Sequence, residues 1–376
     1  MSYVIGVDCG TSGTKTVLFD EKCNVISSKT IEYPMIQPQN GYAEQDPADW
    51  RNAMIETIKA VVASSGVDKN EIVGIGLSGQ MHGLVMLDAN NDVIRNSIIW
   101  CDQRTGKQVE WMNENVGNDK LVQITANPAL TGWTAAKILW VKDNEPQNFE
   151  KVKHIMLPKD YLRFVLTGEY ATEVSDASGM QILDVPNRDW SSELLSAFEI
   201  DRAWLGDVYE SCEVTGKLTA DMANELGLNE GTIVVGGAGD NAAAAVGTGV
   251  VEDGKAFTTI GTSGVVFAHT TKAQIDKLGR VHTCCAAVPN CWHVMGVTQA
   301  AGLSLQWFRN NFCQDIIAQA EKEDCDPYDI LNKKAAEIPI GSDNLLYLPY
   351  LMGERTPHLD PDCRGAFIGL SAIHAR

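Results

Sequence analysis

Apolar runs of strand length alternate with helix-length amphipathic stretches, and two of the strand pairs are joined by the same four residues. Tyr3 to Asp8 reads as a buried strand and Thr16 to Phe19 as its hairpin partner, with Gly10-Thr11-Ser12-Gly13 between them. Val25 to Tyr33 predicts a third strand. Asp46-Pro47 predicts a helix start, with Asp as the cap and Pro at the first helical position. Trp50, Met54, Ile58, Val61 and Val62 recur at helical spacing and form its apolar face. Ile72 to Leu77 predicts a strand that empties into Ser78-Gly79-Gln80-Met81-His82-Gly83. Helices are predicted from Gln108, from Gly132 to near Glu145-Pro146, over Pro158 to Leu166, Ser191 to Phe198 and Ala220 to Leu226, whereas Glu173 to Gly179 reads as a polar loop. Thr232 to Val235 predicts an apolar strand leading into Gly236-Gly237-Ala238-Gly239-Asp240-Asn241 and a helix from Ala242.

The strand–turn–strand pattern then returns. Ala256 to Ile260 and Val265 to Ala268 flank Gly261-Thr262-Ser263-Gly264. A strand is predicted over Trp292 to Val297, and a helix over Gln299 to Phe312 with Leu303, Trp307 and Phe308 inward. A helix over Tyr328 to Ala336 and strands over Leu345 to Tyr350 and Arg364 to Leu370 complete the pattern. Strands and helices mixed in this way imply an α/β architecture.

A Gly-Thr-Ser-Gly turn lets backbone N–H groups and hydroxyls approach an anion. One copy would equally suit an ordinary hairpin. Two copies imply two similar half-structures that hold a polyphosphate. Asp8, at the end of the first strand, could hold a hydrated Mg²⁺ beside phosphate; a turn-capping Asp is the alternative. Asp240 follows three glycines at a helix start, where it is either a ligand-facing carboxylate or a plain N-cap. The Gln80-Met81-His82 loop lies just past a strand end, where α/β folds tend to bind ligands; a plain turn with an exposed His is the alternative.

Composition narrows the choice of partner. In the 376 residues, 49 Asp and Glu outweigh 30 Lys and Arg, for a net charge of −19, which argues against nucleic acid. No apolar run has membrane-spanning length and the start, Met1-Ser2-Tyr3-Val4-Ile5, is unlike a signal peptide, so a cytoplasmic protein is expected. The ten cysteines include no Cys-x-x-Cys pair and suit a reducing compartment. Cys284, Cys285 and Cys291, near His282 and His293, are read as core thiols, with zinc as the alternative.

Taken together, these pieces resemble the FGGY carbohydrate kinases along the whole chain. Gly6-Val7-Asp8-Cys9-Gly10-Thr11-Ser12 resembles the family's first phosphate motif. Gly41-Tyr42-Ala43-Glu44-Gln45-Asp46-Pro47 with Trp50 resembles its early loop, and Gly132 through Asn144, with Lys137 and Trp140, its first signature. Ser78-Gly79-Gln80-Met81-His82-Gly83 and Gly353-Glu354-Arg355-Thr356-Pro357-His358 are similar to members that act on D-xylulose. Gly365-Ala366-Phe367-Ile368-Gly369-Leu370 resembles the opening of a second signature that the chain does not finish.

The resemblance implies a two-domain actin-like ATPase (ribonuclease-H-like) fold with an incomplete second domain: residues 1–245 carry the sugar site and residues 246–376 the second phosphate loop. It implies ATP-dependent phosphorylation of D-xylulose, with another pentulose, polyol or sugar acid as alternative substrates and a non-catalytic sugar-binding protein as the alternative of another class. By the same resemblance Asp240 is the catalytic base and Asp8 supports Mg²⁺. Gln80, Met81 and His82 bind sugar. Thr11, Ser12, Gly261, Thr262 and Ser263 hold phosphates, and Gly302 and Gln306 approach the nucleotide. A homodimer is a further family expectation.

Overall fold

Alternate burial of Ile5, Val7 and Cys9 gives the first strand, β1 (Tyr3–Cys9), one inward face. β2 (Gly13–Phe19) continues the pattern, burying Thr14, Thr16 and Leu18, and pairs antiparallel with β1 so that Asp8 stands opposite Lys15. β3 (Val25–Glu32) adds an antiparallel edge strand. The predicted cap holds for α1 (Pro47–Ser65): Asp46 accepts the Ala48 N–H, and Gly66 ends the helix at φ 67°. Its Trp50, Met54, Ile58 and Val61 are buried against the sheet.

β4 (Ile72–Gly79) runs parallel to β1. After it come α2 (Thr134–Asn144), α3 (Pro158–Thr167), β5 (Ala171–Glu173), α4 (Val174–Ala177), β6 (Val214–Lys217), α5 (Ala220–Leu226), β7 (Ile233–Val235), β8 (Ala238–Gly239) and α6 (Asp240–Gly247). The principal sheet has seven strands in the order β6-β7-β4-β1-β2-β3, with β8 also paired to β4. A core between this sheet and α1, α3 and α5 joins Ile5, Leu18, Ile58, Ile75, Leu162, Leu226 and Val234. A second core gathers Leu84, Met112, Ile138, Leu157, Val174 and Phe198.

The stretch expected to be a polar loop, Glu173 to Gly179, is the end of β5, then α4, then a 3-10 turn over Ser178–Met180. Every residue of it is buried. Glu173 and Ser175 are inside because they bond to each other and to Ser211, Lys159 and Gly239 from elsewhere in the chain, a condition that a one-dimensional polarity pattern does not register.

The structure describes residues 2–360 and 362–375 of this computed structural model. The chain forms two compact units, one of Met1–Lys255 and Ala268–Val294, the other of Ala256–Phe267 and Met295–Arg376. The resemblance implies a single boundary between residues 245 and 246. The chain crosses between the units just before β9 (Ala256–Ile260), within β10 (Gly264–Thr270) and, after β11 (His282–Cys285) in the first unit, within β12 (Trp292–Thr298). In the second unit follow α7 (Gly302–Phe312), α8 (Gln314–Glu323), α9 (Pro327–Ala335) and the antiparallel pair β13 (Leu346–Leu348) and β14 (Ala366–Ile368). Cys313, Ile316, Ala320 and Ile330 form its small core.

α7 begins at Gly302 rather than at Gln299. The Gln299 N–H is taken by the Glu354 carboxylate at 3.1 Å, and the Ala301 and Gly302 N–H groups are taken by turn carbonyls. Cys284 and Cys285 are buried in β11, and burial pushes the Cys285 thiol up to about 11. Among the described residues no group of three or more His, Cys, Asp or Glu side chains is arranged to hold a metal ion, and no helix is long and apolar enough to cross a membrane.

Candidate active site

Three parallel strand ends create the site in the first unit. Asp8, near the end of β1, lies beside Ser78 of β4, and Ala238 of β8 lies on the other side of the same Ser78. A groove of about 470 Å³ is lined there by Asp8, Lys15, Ser78, Gly237, Ala238 and Ala243. Gly237 makes the approach of β8 possible. Its φ is 75°, and a Cβ on it would stand 2.1 Å from the Leu77 carbonyl oxygen.

Asp240 is the first residue of α6, and Gly239 occupies the cap position, so the plain N-cap alternative does not apply. One carboxylate oxygen of Asp240 accepts the Asn241 N–H at 2.6 Å and the Asn241 side-chain amide at 2.9 Å. The residue stays open to solvent, yet protein crowds it on enough sides to strip hydration. That loss pushes its carboxyl up to about 6; the Asn241 bonds pull it down and the negative charge of Asp8 pushes it further up. The two carboxylates therefore feel each other, as two groups around one ligand or cation do.

The Gln80-Met81-His82 loop divides into different tasks. Gln80 is 2 % exposed and donates to Gln45 Oε1 at 2.8 Å and toward the Gly10 carbonyl at 3.4 Å. It braces the first Gly-Thr-Ser-Gly turn. Met81 packs on the Gly236–Asp240 loop: a Cβ on Gly239 would lie 2.9 Å from its Sδ. His82 sits at φ 68°, with its ring stacked on Trp133 at 4.5 Å between centroids and its Nδ1 2.9 Å from the Gly179 carbonyl. The His82 carbonyl accepts from Thr134 Oγ1 at 3.0 Å and from buried Lys137 at 2.7 Å. These contacts hold the left-handed backbone of His82 and its ring in one position.

The first turn is closed by a Gly10 N–H bond to Gly13 O at 3.1 Å. Thr11 is half-buried; its hydroxyl accepts from the Trp100 indole at 2.9 Å and its carbonyl from Gln45 at 2.7 Å. Ser12 is exposed. In the second unit, Gly261 N–H bonds to Ser263 O at 2.9 Å, and Gly261 and Thr262 are exposed. The start of α7 donates to this turn from Ala301, Gly302 and Leu303. Gly302 is there because a Cβ would stand 2.5 Å from the Gly261 oxygen. Gln306, one turn along α7, is exposed.

A buried ionic cluster beneath the Gly236–Asp240 loop escaped the sequence reading. Lys159 donates to Asp160 at 2.9 Å and to the Gly236 carbonyl at 3.2 Å, and lies 3.5 Å from Glu173 and 3.8 Å from Asp176. Arg163 donates to the Gly236 carbonyl at 2.8 Å and pairs with Asp160 at 3.0 Å. Against the cost of burial, Lys159 and Arg163 hold the Asp160 carboxyl below the usual carboxylate range. Burial pushes Asp176 well above that range despite Lys159, with the charges of Asp160, Glu173 and Asp240 adding to the effect. The two cations, Lys159 and Arg163, thus stand among three carboxylates, Asp160, Glu173 and Asp176. The only signal in the sequence was Lys159-Asp160 and Arg163 inside an otherwise apolar helix.

Comparison with known proteins agrees with this geometry. The model of the FGGY family of carbohydrate kinases, N-terminal domain, matches residues 3–247, and that of the C-terminal domain matches residues 256–375. A xylulose kinase from Bacillus subtilis (strain 168) is 41% identical over 376 residues, 100% of this chain and 73% of that protein. A crystal structure of a xyloylose kinase from Brucella ovis superposes with a TM-score of 0.89 at 38% identity, covering 99% of this chain and 74% of its own. That of a gluconate kinase from Lactobacillus acidophilus gives a TM-score of 0.91 at 28% identity, covering 100% of this chain and 73% of its own. The two-domain actin-like architecture expected from the resemblance is therefore the fold of this protein. With both domain models matched in order along the chain, and with a Gly-Thr-Ser-Gly turn in each domain, the chain belongs to the FGGY family of carbohydrate kinases.

Proposed function

We propose that the protein transfers the γ-phosphoryl group of ATP to the terminal hydroxyl of D-xylulose, giving D-xylulose 5-phosphate. The observation that carries the reading is the packing of Met81 on Gly239, directly before Asp240, with His82 fixed alongside by Gly179 and Trp133. Met81 thus touches the residue before Asp240, and His82 follows Met81 in the same loop. Relatives sharing 37–41% of their residues with this chain over nearly its whole length are named xylulose kinases.

Phosphoryl transfer requires alignment and charge neutralisation more than covalent help. Asp240 accepts the hydroxyl proton as the oxygen meets phosphorus, and its raised pKa makes it a stronger base at neutral pH than an ordinary carboxylate. Met81 gives the sugar an apolar contact and His82 a hydrogen bond. Gln80 acts indirectly, through Gln45 and the first turn. Thr11 and Ser12 in one unit, and Gly261, Thr262 and Ser263 in the other, hold phosphates; Gly302 keeps the second turn in shape, and Gln306 approaches the nucleotide.

Asp8 and Asp240 suit Mg²⁺, because two repelling hard-oxygen donors, with no cluster of three such side chains among the described residues, match a cation that keeps several waters and takes substrate phosphates. When bound, the cation neutralises phosphate charge. A cytoplasmic setting fits ten free cysteines, and a homodimer is the assembly proposed.

The test is a coupled assay of ADP release with ATP, Mg²⁺ and a panel of pentuloses, polyols and sugar acids. Release that depends on D-xylulose supports the reading. Release that depends on gluconate instead would favour a second reading, for which the likeness to the Lactobacillus acidophilus gluconate kinase speaks. No release with any sugar would sink both.

A further inference from the structure

One buried segment touches both halves of the proposed reaction. Ser175 Oγ accepts the Gly239 N–H at 3.1 Å, one residue before Asp240. Its own proton goes to Glu173 Oε1 at 2.9 Å. Glu173 is locked in turn: it accepts the Ser175 and Asp176 N–H groups at 2.8 and 2.9 Å and the Ser211 hydroxyl at 2.7 Å, with Lys159 3.5 Å away. A carboxylate with its acceptor sites filled leaves the Ser175 hydroxyl one orientation, proton toward Glu173 and lone pair toward Gly239. Glu173, Ser175 and Lys159 are all 0 % exposed, so water cannot substitute for any partner. Four residues further on, the Gly179 carbonyl fixes His82, and a Cβ on Gly179 would stand 2.4 Å from His82 Nδ1.

We propose that the Glu173–Gly179 segment sets the spacing between base and sugar: Ser175 is a positioning residue for Asp240, and Gly179 a positioning residue for His82. The inference rests on the kinase reading above. It makes the two ends separable, since Ser175 acts on the transfer step and Gly179 on sugar binding. Small displacements of a reacting group are costly in rate, and an unmade buried hydrogen bond leaves its partners unsatisfied.

The test is steady-state kinetics on the full chain with D-xylulose and ATP. Ser175→Ala is expected to lower kcat roughly tenfold with the sugar KM within about twofold, and Ser175→Thr, which keeps the hydroxyl, to recover most of the loss. Gly179→Ala is expected to do the opposite, raising the sugar KM about tenfold with a smaller change in kcat. Equal loss of kcat and KM in both variants, or Ser175→Ala with the turnover of the parent protein, overturns the proposal. If Ser175→Ala fails to fold, Gly179→Ala with an unaltered sugar KM overturns it alone. Asp240→Asn is run alongside: should that variant keep full turnover, the assignment of the base fails, which is a different result from failure of the Glu173–Gly179 segment to position Asp240 and His82.

Discussion

The two Gly-Thr-Ser-Gly turns have the same residues and different supports. In the first, distant side chains do the work: Trp100 bonds the Thr11 hydroxyl, Gln45 the Thr11 carbonyl, and Tyr33 the Gly10 carbonyl at 2.6 Å. In the second, the backbone at the start of α7 does it, through the Ala301, Gly302 and Leu303 N–H groups. The first arrangement fills one of the two acceptor positions of the Thr11 hydroxyl and leaves its proton to point elsewhere. The second arrangement satisfies free helix N–H groups and turn carbonyls at one stroke. A short motif therefore specifies a turn, and its surroundings specify what the turn presents.

The comparison can be broken or sharpened by mutation. The largest effect is expected from Asp240→Asn, which touches neither turn: kcat should fall by on the order of 10²–10⁴, with sugar binding by calorimetry retained. Next, Gly302→Ala should disturb the second turn alone, because the added Cβ meets the Gly261 oxygen at 2.5 Å and backbone cannot yield cheaply. The ATP KM should rise roughly tenfold or more while the sugar KM stays put. An equal rise in both would mean that the second turn acts on more than the nucleotide.

Smaller effects follow. Trp100→Phe keeps the ring and removes the indole donor to Thr11, so the ATP KM should rise by about fivefold, the worth of one hydrogen bond of about 1 kcal/mol. Replacing Thr262 instead should leave the Trp100 effect unchanged. The pH profile gives a shift rather than a loss. Asp240 accepts a proton only when ionised, so turnover should fall as pH drops through about 6. Asp8→Asn removes the charge that helps to raise the Asp240 pKa, so the acid limb of the remaining activity should move to lower pH. The raised pKa also means that ionising Asp240 destabilises the fold. Asp240→Asn should raise Tm at pH values above about 6, with no gain below 3.8, where the carboxyl is protonated whether folded or unfolded.

What the chain's own pattern determined is local. The Asp46 cap, the strands β1 and β2 around the first turn, β9 and β10 around the second, and the Gly-rich approach to Asp240 all rest on residues within a few positions of each other. Turn chemistry, capping and alternation act over that range. Tertiary structure decided the rest. Ser175 meets Gly239 across 64 positions, Gln80 meets Gln45 across 35, and Trp100 meets Thr11 across 89. Glu173 to Gly179 looked like a solvent-facing loop because its residues are polar, and it is buried because Lys159, Ser211 and Gly239 arrive from elsewhere in the chain to pair with them. A polar side chain is inside or outside according to whether partners reach it, and only the folded chain brings those partners into reach.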